Sequence, residues 1–252
     1  MAMNGRGVLV TGGATGIGLA VVDWFRARGG RVAAGYFEEA HRERAAGGRD
    51  GVLWLRADLR REEEIAALVE RACADLREID VLVNCASLTG ASSLSPFLDC
   101  TAQFIDDMIG TNLRGTVLVS QSAARAMVKA GRGGAIVHVA SVGALAAQEH
   151  ASIYCATKAA LVALGKAMAL ELAPHGIRVN CVSPGDIHTQ ASGDVDGGLR
   201  AGGATRRYSR HTPLGRRGRP EEIAAAIGWL ASDEASFVTG ANLVADGGFL
   251  SY

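Results

Sequence analysis

Tyr154 and Lys158 lie four positions apart in the stretch YCATK. On a helix that spacing puts both side chains on one face. A phenol in water keeps its proton at neutral pH, and a nearby cation stabilises the phenolate. The pair is therefore suited to passing a proton to or from a substrate oxygen. Ser141 ends the apolar run AIVHVAS thirteen positions earlier, and its hydroxyl can hold that oxygen beside the phenol. A second constellation lies near the N-terminus, where residues 11–18 read TGGATGIG directly after the apolar run GVLV. Gly12, Gly16 and Gly18 let the backbone approach a pyrophosphate. The helix opening at Ile17 turns free N–H groups and partial positive charge towards it.

Elements that could position these residues follow from the hydrophobic pattern. Short apolar runs at 7–11, 32–36, 52–57, 81–85, 135–139, 177–182 and 242–245 predict seven strands. Between them, amphipathic stretches predict helices at 17–28, 61–77, 104–129, 153–172 and 221–231. Alternation of strand and helix predicts an α/β fold, a doubly wound parallel sheet with helices on both faces. In such a sheet ligands sit beyond the carboxyl ends of the strands, where the winding reverses. No linker or internal repeat breaks residues 1–252, so a single domain is expected. Residues 190–220 are rich in Gly, Arg, Ser and Thr without periodicity. They are expected to form a substrate flap that carries Arg200, Arg206, Arg207 and Arg210.

The GxxxGxG spacing and the YxxxK pair together resemble the short-chain dehydrogenase/reductase family, and the likeness runs over nearly the whole chain. The resemblance implies a Rossmann domain and hydride transfer between a nicotinamide cofactor and a carbonyl or secondary alcohol. Tyr154 would be the general acid/base, with Ser141, Lys158 and Asn112 completing the catalytic set and Asn112 binding a relay water. It further implies cofactor contacts by Gly12, Thr15, Gly16, Ile17, Gly18, Tyr36, Asp58, Leu59, Asn84 and Ala86, as well as by Tyr154 and Lys158. Ser87 stands where the family has a glycine. In NCVSPGDIHT, the resemblance assigns Pro184 and Gly185 to a turn, the Ile187 backbone to the nicotinamide carboxamide, and Thr189 to the carboxamide or a phosphate.

Tyr36 occupies the position where an Asp would mark NAD, and no Arg or Lys marks NADP at Phe37 or Thr15. The tyrosine leans towards NADP, while Glu38 can either repel a 2′-phosphate or accept from a ribose hydroxyl. Gln148, Glu149, His150, Asp186 and His188 flank the site in sequence, with Gln148 and Asp186 as candidate substrate contacts beside Ser141 and Tyr154. The substrate would be a small-molecule or acyl-carrier-linked carbonyl or alcohol. The C-terminal stretch SFVTGANLVADGGF resembles the family's tail and implies a homotetramer. A silent dinucleotide-binding sensor or scaffold is the alternative, and it predicts a broken catalytic set.

Composition is consistent with this reading. Lys plus Arg equal Asp plus Glu at 26 each, so no basic surplus points to nucleic acid. No uninterrupted apolar run reaches the roughly 20 residues of a membrane span, and the N-terminus does not read as a signal peptide. A cytoplasmic location is expected. The five widely spaced cysteines form no metal-binding pattern, and reduced thiols are expected.

Overall fold

The computed structural model describes residues 1–190 and 212–251. The arginines at 200, 206, 207 and 210, with most of the expected flap, lie outside the described residues. Seven strands form the sheet: β1 Gly7–Thr11, β2 Arg31–Tyr36, β3 Leu53–Arg56, β4 Val81–Asn84, β5 Gly134–Val139, β6 Ile177–Pro184 and β7 Asn242–Ala245. Their order is β3-β2-β1-β4-β5-β6-β7, and every pairing is parallel. The chain winds outward from β1 to β3, returns to the centre, and winds the other way from β4 to β7. Winding therefore reverses between β1 and β4, whose last residues Thr11 and Asn84 are in register.

The side-chain period of two explains why the central strands read as unbroken apolar runs. Val8, Val10, Val83 and Val137 point to one face, where Val21 and Phe25 of α1 (Gly16–Arg26) and Ile223 and Ile227 of α7 (Pro220–Ala231) cover them. Leu9, Leu82, Ile136 and Val179 point to the other, under α3 (Glu62–Leu76), α5 (Thr116–Ala130) and α6 (Ser152–Leu172). Gly228 permits the close approach of α1 and α7, since a Cβ there would meet the Trp24 ring at 2.4 Å.

The structure departs from the sequence reading in three elements. The helix expected over 104–129 is two helices, α4 (Ala102–Ile109) and α5, joined by a π-helical turn at Gly110–Gly115. A Cβ at Gly115 would lie 2.5 Å from the Leu59 carbonyl oxygen, so this turn can pack on the loop after β3 only as glycine. A further helix, α2 (Glu39–Ala46), follows β2. It buries only Ala45 and so leaves no apolar stripe to read; a Glu39–Arg42 pair supports it. Third, α6 with its following turn, 152–175, is long and apolar enough to cross a membrane, with a mean hydropathy of 1.4. Short polar interruptions hid this from a search for one continuous apolar run. One face, with Thr157, Lys158, Leu161, Gly165 and Ala169, is buried in the fold, while Leu170 is 80% exposed on the other.

Arg178 on β6 ties the far edge together. Its guanidinium donates to the carbonyl oxygens of Leu230 at 2.7 Å, Ser232 at 2.9 Å and Val238 at 3.2 Å, closing the C-terminal end of α7. Burial lowers its pKa, and Asp233 opposes that shift. Removing the donor strands three carbonyls that water reaches poorly. Arg178→Met is expected to cost about 2–4 kcal/mol, read as a lower urea midpoint; a midpoint equal to wild type would mean those carbonyls find other donors.

Candidate active site

The glycine turn is shaped by contacts that exclude side chains. Gly12 has φ +65°, and a Cβ there would sit 2.7 Å from Ala86 Cα. At Gly18 a Cβ would lie 2.1 Å from the Gly12 carbonyl oxygen. The helix α1 begins with Thr15 as its N-cap, without a side-chain cap hydrogen bond and with no acid in the first turn. Its first N–H groups and its dipole thus favour an anion. Thr11 Oγ1 accepts from the backbone N–H of Cys85 at 3.1 Å and of Ala86 at 3.2 Å, pinning the loop after β4 against the turn.

The loop after β6 reaches the same place. Thr189 Cγ2 lies 3.4 Å from where a Cβ of Gly16 would be. Gly185 donates its N–H to Ala245, and a Cβ there would meet Asp246 Cα at 2.7 Å. Ile187 is buried and bridges to Gly218. The turn after β1, Ala86 and Thr189 therefore border one cleft at the winding reversal. With glycine at 12, 13, 16 and 18 and a helix N-terminus facing it, the cleft fits a dinucleotide pyrophosphate.

At the other end of the cleft, Tyr36 closes β2 opposite Arg56 of β3. The Tyr36 hydroxyl donates to Glu39 Oε2 at 2.9 Å; burial and this bond raise its pKa. Phe37 is 48% exposed and lies under the guanidinium groups of Arg56 and Arg60. Asp58 is held by the side chain and backbone N–H of Arg60, which keep its carboxyl below the usual range. Leu59 is buried beneath the π-helical turn.

Lys158 is 3% exposed, and its Nζ donates to the Val139 carbonyl oxygen at 2.9 Å. The same Nζ lies 5.6 Å from the Tyr154 ring centroid. Ser141 is two residues beyond that anchoring carbonyl; its Oγ accepts from the Gly143 N–H at 3.0 Å, which leaves its own O–H to donate. The end of β5 thus brings Ser141, Tyr154 and Lys158 together. Gln148 borders this turn, its Oε1 3.3 Å from where a Cβ of Gly143 would be, as does Cys155.

Three expected ligands have their side chains committed elsewhere. Asn84 points into the interior: its Nδ2 donates to Ser120 Oγ at 2.8 Å and faces His138 Nδ1 at 3.1 Å. Asn112 is fully buried in the π-helical turn, accepting from the Leu88 N–H at 2.7 Å and donating to the Leu88 carbonyl at 3.2 Å and Thr157 Oγ1 at 3.4 Å. Its side chain works as a clasp between three elements, which leaves its main-chain carbonyl, already accepting from Thr116, as the atom for any relay water. Asp186 pairs with Arg217 at 2.8 Å, so one of its carboxylate oxygens is engaged by that guanidinium. Glu149 and His150 sit on the loop before α6, and the His150 carbonyl takes the Ser95 N–H at 2.7 Å. His188 donates its backbone N–H to Gly218.

Thr11, Leu88, Thr157 and His138 escaped the sequence reading. Thr157 was the most legible, standing one turn beyond Tyr154 and donating to its carbonyl at 2.7 Å. The five cysteines are all free thiols, and burial pushes Cys85 up to about 11 and Cys181 to about 12. No cluster of metal-binding side chains occurs among the described residues.

A cleft for a dinucleotide beside a tyrosine, a lysine and a serine defines a nicotinamide-dependent oxidoreductase on a doubly wound α/β fold. Residues 12–250 match the family model described as enoyl-(acyl carrier protein) reductase. The chain is 40% identical over 249 residues to cis-4-hydroxycyclohexanecarboxylate dehydrogenase of Sinomonas cyclohexanicum, covering 97% of this chain and 96% of that protein. It is 36% identical over 251 residues to D-threitol dehydrogenase of Mycolicibacterium smegmatis, covering 98% and 94%. The crystal structure of 3-ketoacyl-(acyl-carrier-protein) reductase from Brucella melitensis complexed with NADH superposes with a TM-score of 0.87 at 29% identity, covering 98% and 99%. The chain belongs to the short-chain dehydrogenase/reductase family.

His138 gives a pH test of the interior. Burial, with Lys158 adding to it, lowers its pKa from 6.5 to about 4. The folded state therefore keeps it neutral while the unfolded chain takes a proton first. Stability from this group is complete above pH 6.5 and is lost as the pH falls towards 4. The loss amounts to roughly 3 kcal/mol at about 1.4 kcal/mol per pH unit. Urea titrations between those pH values should show this slope in wild type and a flatter one in His138→Gln; parallel slopes would rule out the assignment.

Proposed function

We propose that the chain oxidises a secondary hydroxyl of a small, hydroxyl-bearing molecule to a ketone, with Tyr154 taking the hydroxyl proton. The observation that carries this reading is the meeting of Ser141, Tyr154 and Lys158 at the end of β5, with Lys158 anchored on Val139. The relatives named for D-threitol and cis-4-hydroxycyclohexanecarboxylate support the substrate class, since both substrates carry secondary alcohols. The acyl-carrier-linked alternative is supported by the description of the matching family model and by a solved structure at 29% identity, below the 36–40% of the two alcohol dehydrogenases.

A bound nicotinamide would accept the hydride in oxidation and supply it in reduction. Ser141, whose Oγ is already held by the Gly143 N–H, would donate its O–H to the substrate oxygen and fix it beside Tyr154. The buried ammonium of Lys158 would stabilise negative charge on the Tyr154 oxygen as the proton arrives. Asn112 would hold Leu88 and Thr157 so that the substrate loop and α6 keep their spacing. Pro184, Gly185, Ile187 and Thr189 would receive the carboxamide end of the cofactor, and Gly12, Thr15, Gly16, Ile17 and Gly18 its pyrophosphate. Asp58, Leu59 and the Ala86 backbone would border the adenosine side, while Gln148 remains the best-placed substrate contact.

One domain, residues 1–252, would carry both binding and catalysis. The exposed apolar face of α6 supports a homotetramer. Between α5 and α6 lies a groove of about 510 Å³ lined by Val117, Ala124, Val128, Leu164, Met168 and Leu172, suited to the same face of a second copy. The five free thiols suit a reducing cytoplasm.

Tyr154→Phe removes the transferable proton and little volume. Its turnover on a panel of polyols and cyclic alcohols is expected to fall by at least about 100-fold, while the change in nicotinamide fluorescence on binding persists. Activity within tenfold of wild type, about 1.4 kcal/mol of barrier, would refute the role given to Tyr154. Dinucleotide binding without turnover on any alcohol or ketone, even in wild type, would favour a sensor or scaffold.

A further inference from the structure

Resting on the reading of residues 184–189 as the seat of the nicotinamide end, we infer that Asp246 is a positioning residue for that seat: its carboxylate folds the C-terminal tail into a wall behind Gly185. Pro184 and Ala245 are partners in the β6–β7 ladder, and the Gly185 N–H donates to the Ala245 carbonyl oxygen at 3.1 Å. The next residue of the tail is then pressed onto the turn, since a Cβ on Gly185 would lie 2.7 Å from Asp246 Cα and 2.8 Å from its Cβ. Beyond Asp246 the chain reverses through two left-handed glycines, Gly247 at φ +64° and Gly248 at φ +89°. The Asp246 carboxylate holds that reversal: Oδ1 accepts from the Gly248 N–H and Oδ2 from the Leu250 N–H, each at 2.8 Å. Both bonds are charge-assisted, a class roughly twice as strong as neutral pairs.

The same reversal supports a third segment. The Leu214 N–H donates to the Gly247 carbonyl oxygen at 3.2 Å. A Cβ on Gly247 would lie 2.5 Å from Thr212 Cγ2, and one on Gly248 2.8 Å from Pro213 Cγ. Residues 212–214 run on to Arg217 and Gly218, which are tied in turn to Asp186 and Ile187. Three segments, 184–187, 212–218 and 245–250, thus close a ring of contacts around the seat, and Asp246 folds the one that touches both others. It acts on the seat through the backbone it folds. A seat shaped in advance spares a ligand the cost of ordering it, so loosening the tail weakens the nicotinamide end. The pyrophosphate and adenosine ends draw on residues 12–18, Asp58 and Leu59, on the far side of the winding reversal from β7.

Binding separates the two ends of the dinucleotide without turnover. NADH and NADPH are titrated into the intact protein by fluorescence, and the tighter of the two is displaced by ADP-ribose or 2′-phospho-ADP-ribose, which carry no nicotinamide. Asp246→Asn keeps the size but turns one acceptor into a donor; Asp246→Ala removes both acceptors. In each, the dinucleotide should bind at least about fivefold more weakly, while the ADP-ribose compound stays within about twofold of wild type. Wild type supplies a second reading that needs no variant to fold. Amide hydrogen exchange in residues 246–251 should slow at least about threefold on saturation with the dinucleotide and stay unchanged with the ADP-ribose compound. Equal losses for both ligands, unchanged dinucleotide binding in the variants, or tail exchange indifferent to the nicotinamide would overturn the role of Asp246 while leaving the dinucleotide site intact. If wild type bound neither dinucleotide, that role and the site reading would fall together.

Discussion

The hydrogen bond from Lys158 Nζ to the Val139 carbonyl oxygen governs the arrangement of the whole site. An ammonium that is almost wholly buried carries a desolvation cost of several kcal/mol, and one carbonyl does not repay it. Such a group persists where the surrounding fold holds it rigidly, and here it does. The carbonyl belongs to β5, which lies between β4 and β6 in the sheet, so the ladder fixes its position. The lysine belongs to α6, whose neighbouring Thr157 is clasped by Asn112. Ser141 follows the carbonyl by two residues. The geometry of the proton-handling groups is thus inherited from strand register, with little left to loop conformation. The same charge acts on the interior as well. It joins burial in keeping His138 neutral, while at Cys85 it opposes burial without overcoming it.

The second dependence is on close backbone approach. Gly12, Gly18 and Gly115 each stand where a single methyl would collide with another main chain. At the first two, the approach packs the turn after β1 on itself and on the loop after β4. At Gly115 it lets the π-helical turn settle on Leu59, and that turn delivers Asn112 to Leu88. A π-helical turn adds a residue to one turn of the ladder, which shifts the side-chain phase of α5 relative to α4. The shift allows Asn112 to face the loop after β4 while Ser120, two turns on, faces Asn84.

The sheet and most helices were legible because burial on both faces writes continuous apolar strands, and one-sided burial writes helical periodicity. All seven strands follow from that pattern, whereas the strand order that puts the switch point between β1 and β4 is seen only in the structure. Tyr154, Lys158 and Ser141 were legible by type and spacing, and the structure brings them together. The π-helical turn was not legible, because its cause is a long-range contact between Gly115 and Leu59. Helix α2 was not legible either, because a helix held by an ion pair and one alanine has no stripe. Asn84, Asn112 and Asp186 show a different limit. Sequence supplies a polar residue beside the cleft, but whether its side chain turns to ligand or to protein depends on partners 31–36 positions away for Asn84 and Asp186, and 24 for Asn112.

That distinction bears on how one scaffold serves different alcohols. The groups proposed to move the proton sit near a strand end and on a helix face, where the β4–β5–β6 ladder fixes the neighbouring backbone. Groups that would meet the rest of the substrate sit on the loops before α6 and after β6. There, the ties include the His150 carbonyl to Ser95, the His188 N–H to Gly218, and Asp186 to Arg217. The last of these, with the Ile187–Gly218 bridge, ties residues 186–187 to residues 217–218. Replacing residues on these loops would alter which hydroxyl is presented without disturbing Lys158 or Tyr154. A change in the β5 register would shift the Val139 carbonyl and the Ser141 hydroxyl together, and would end the chemistry for every substrate at once.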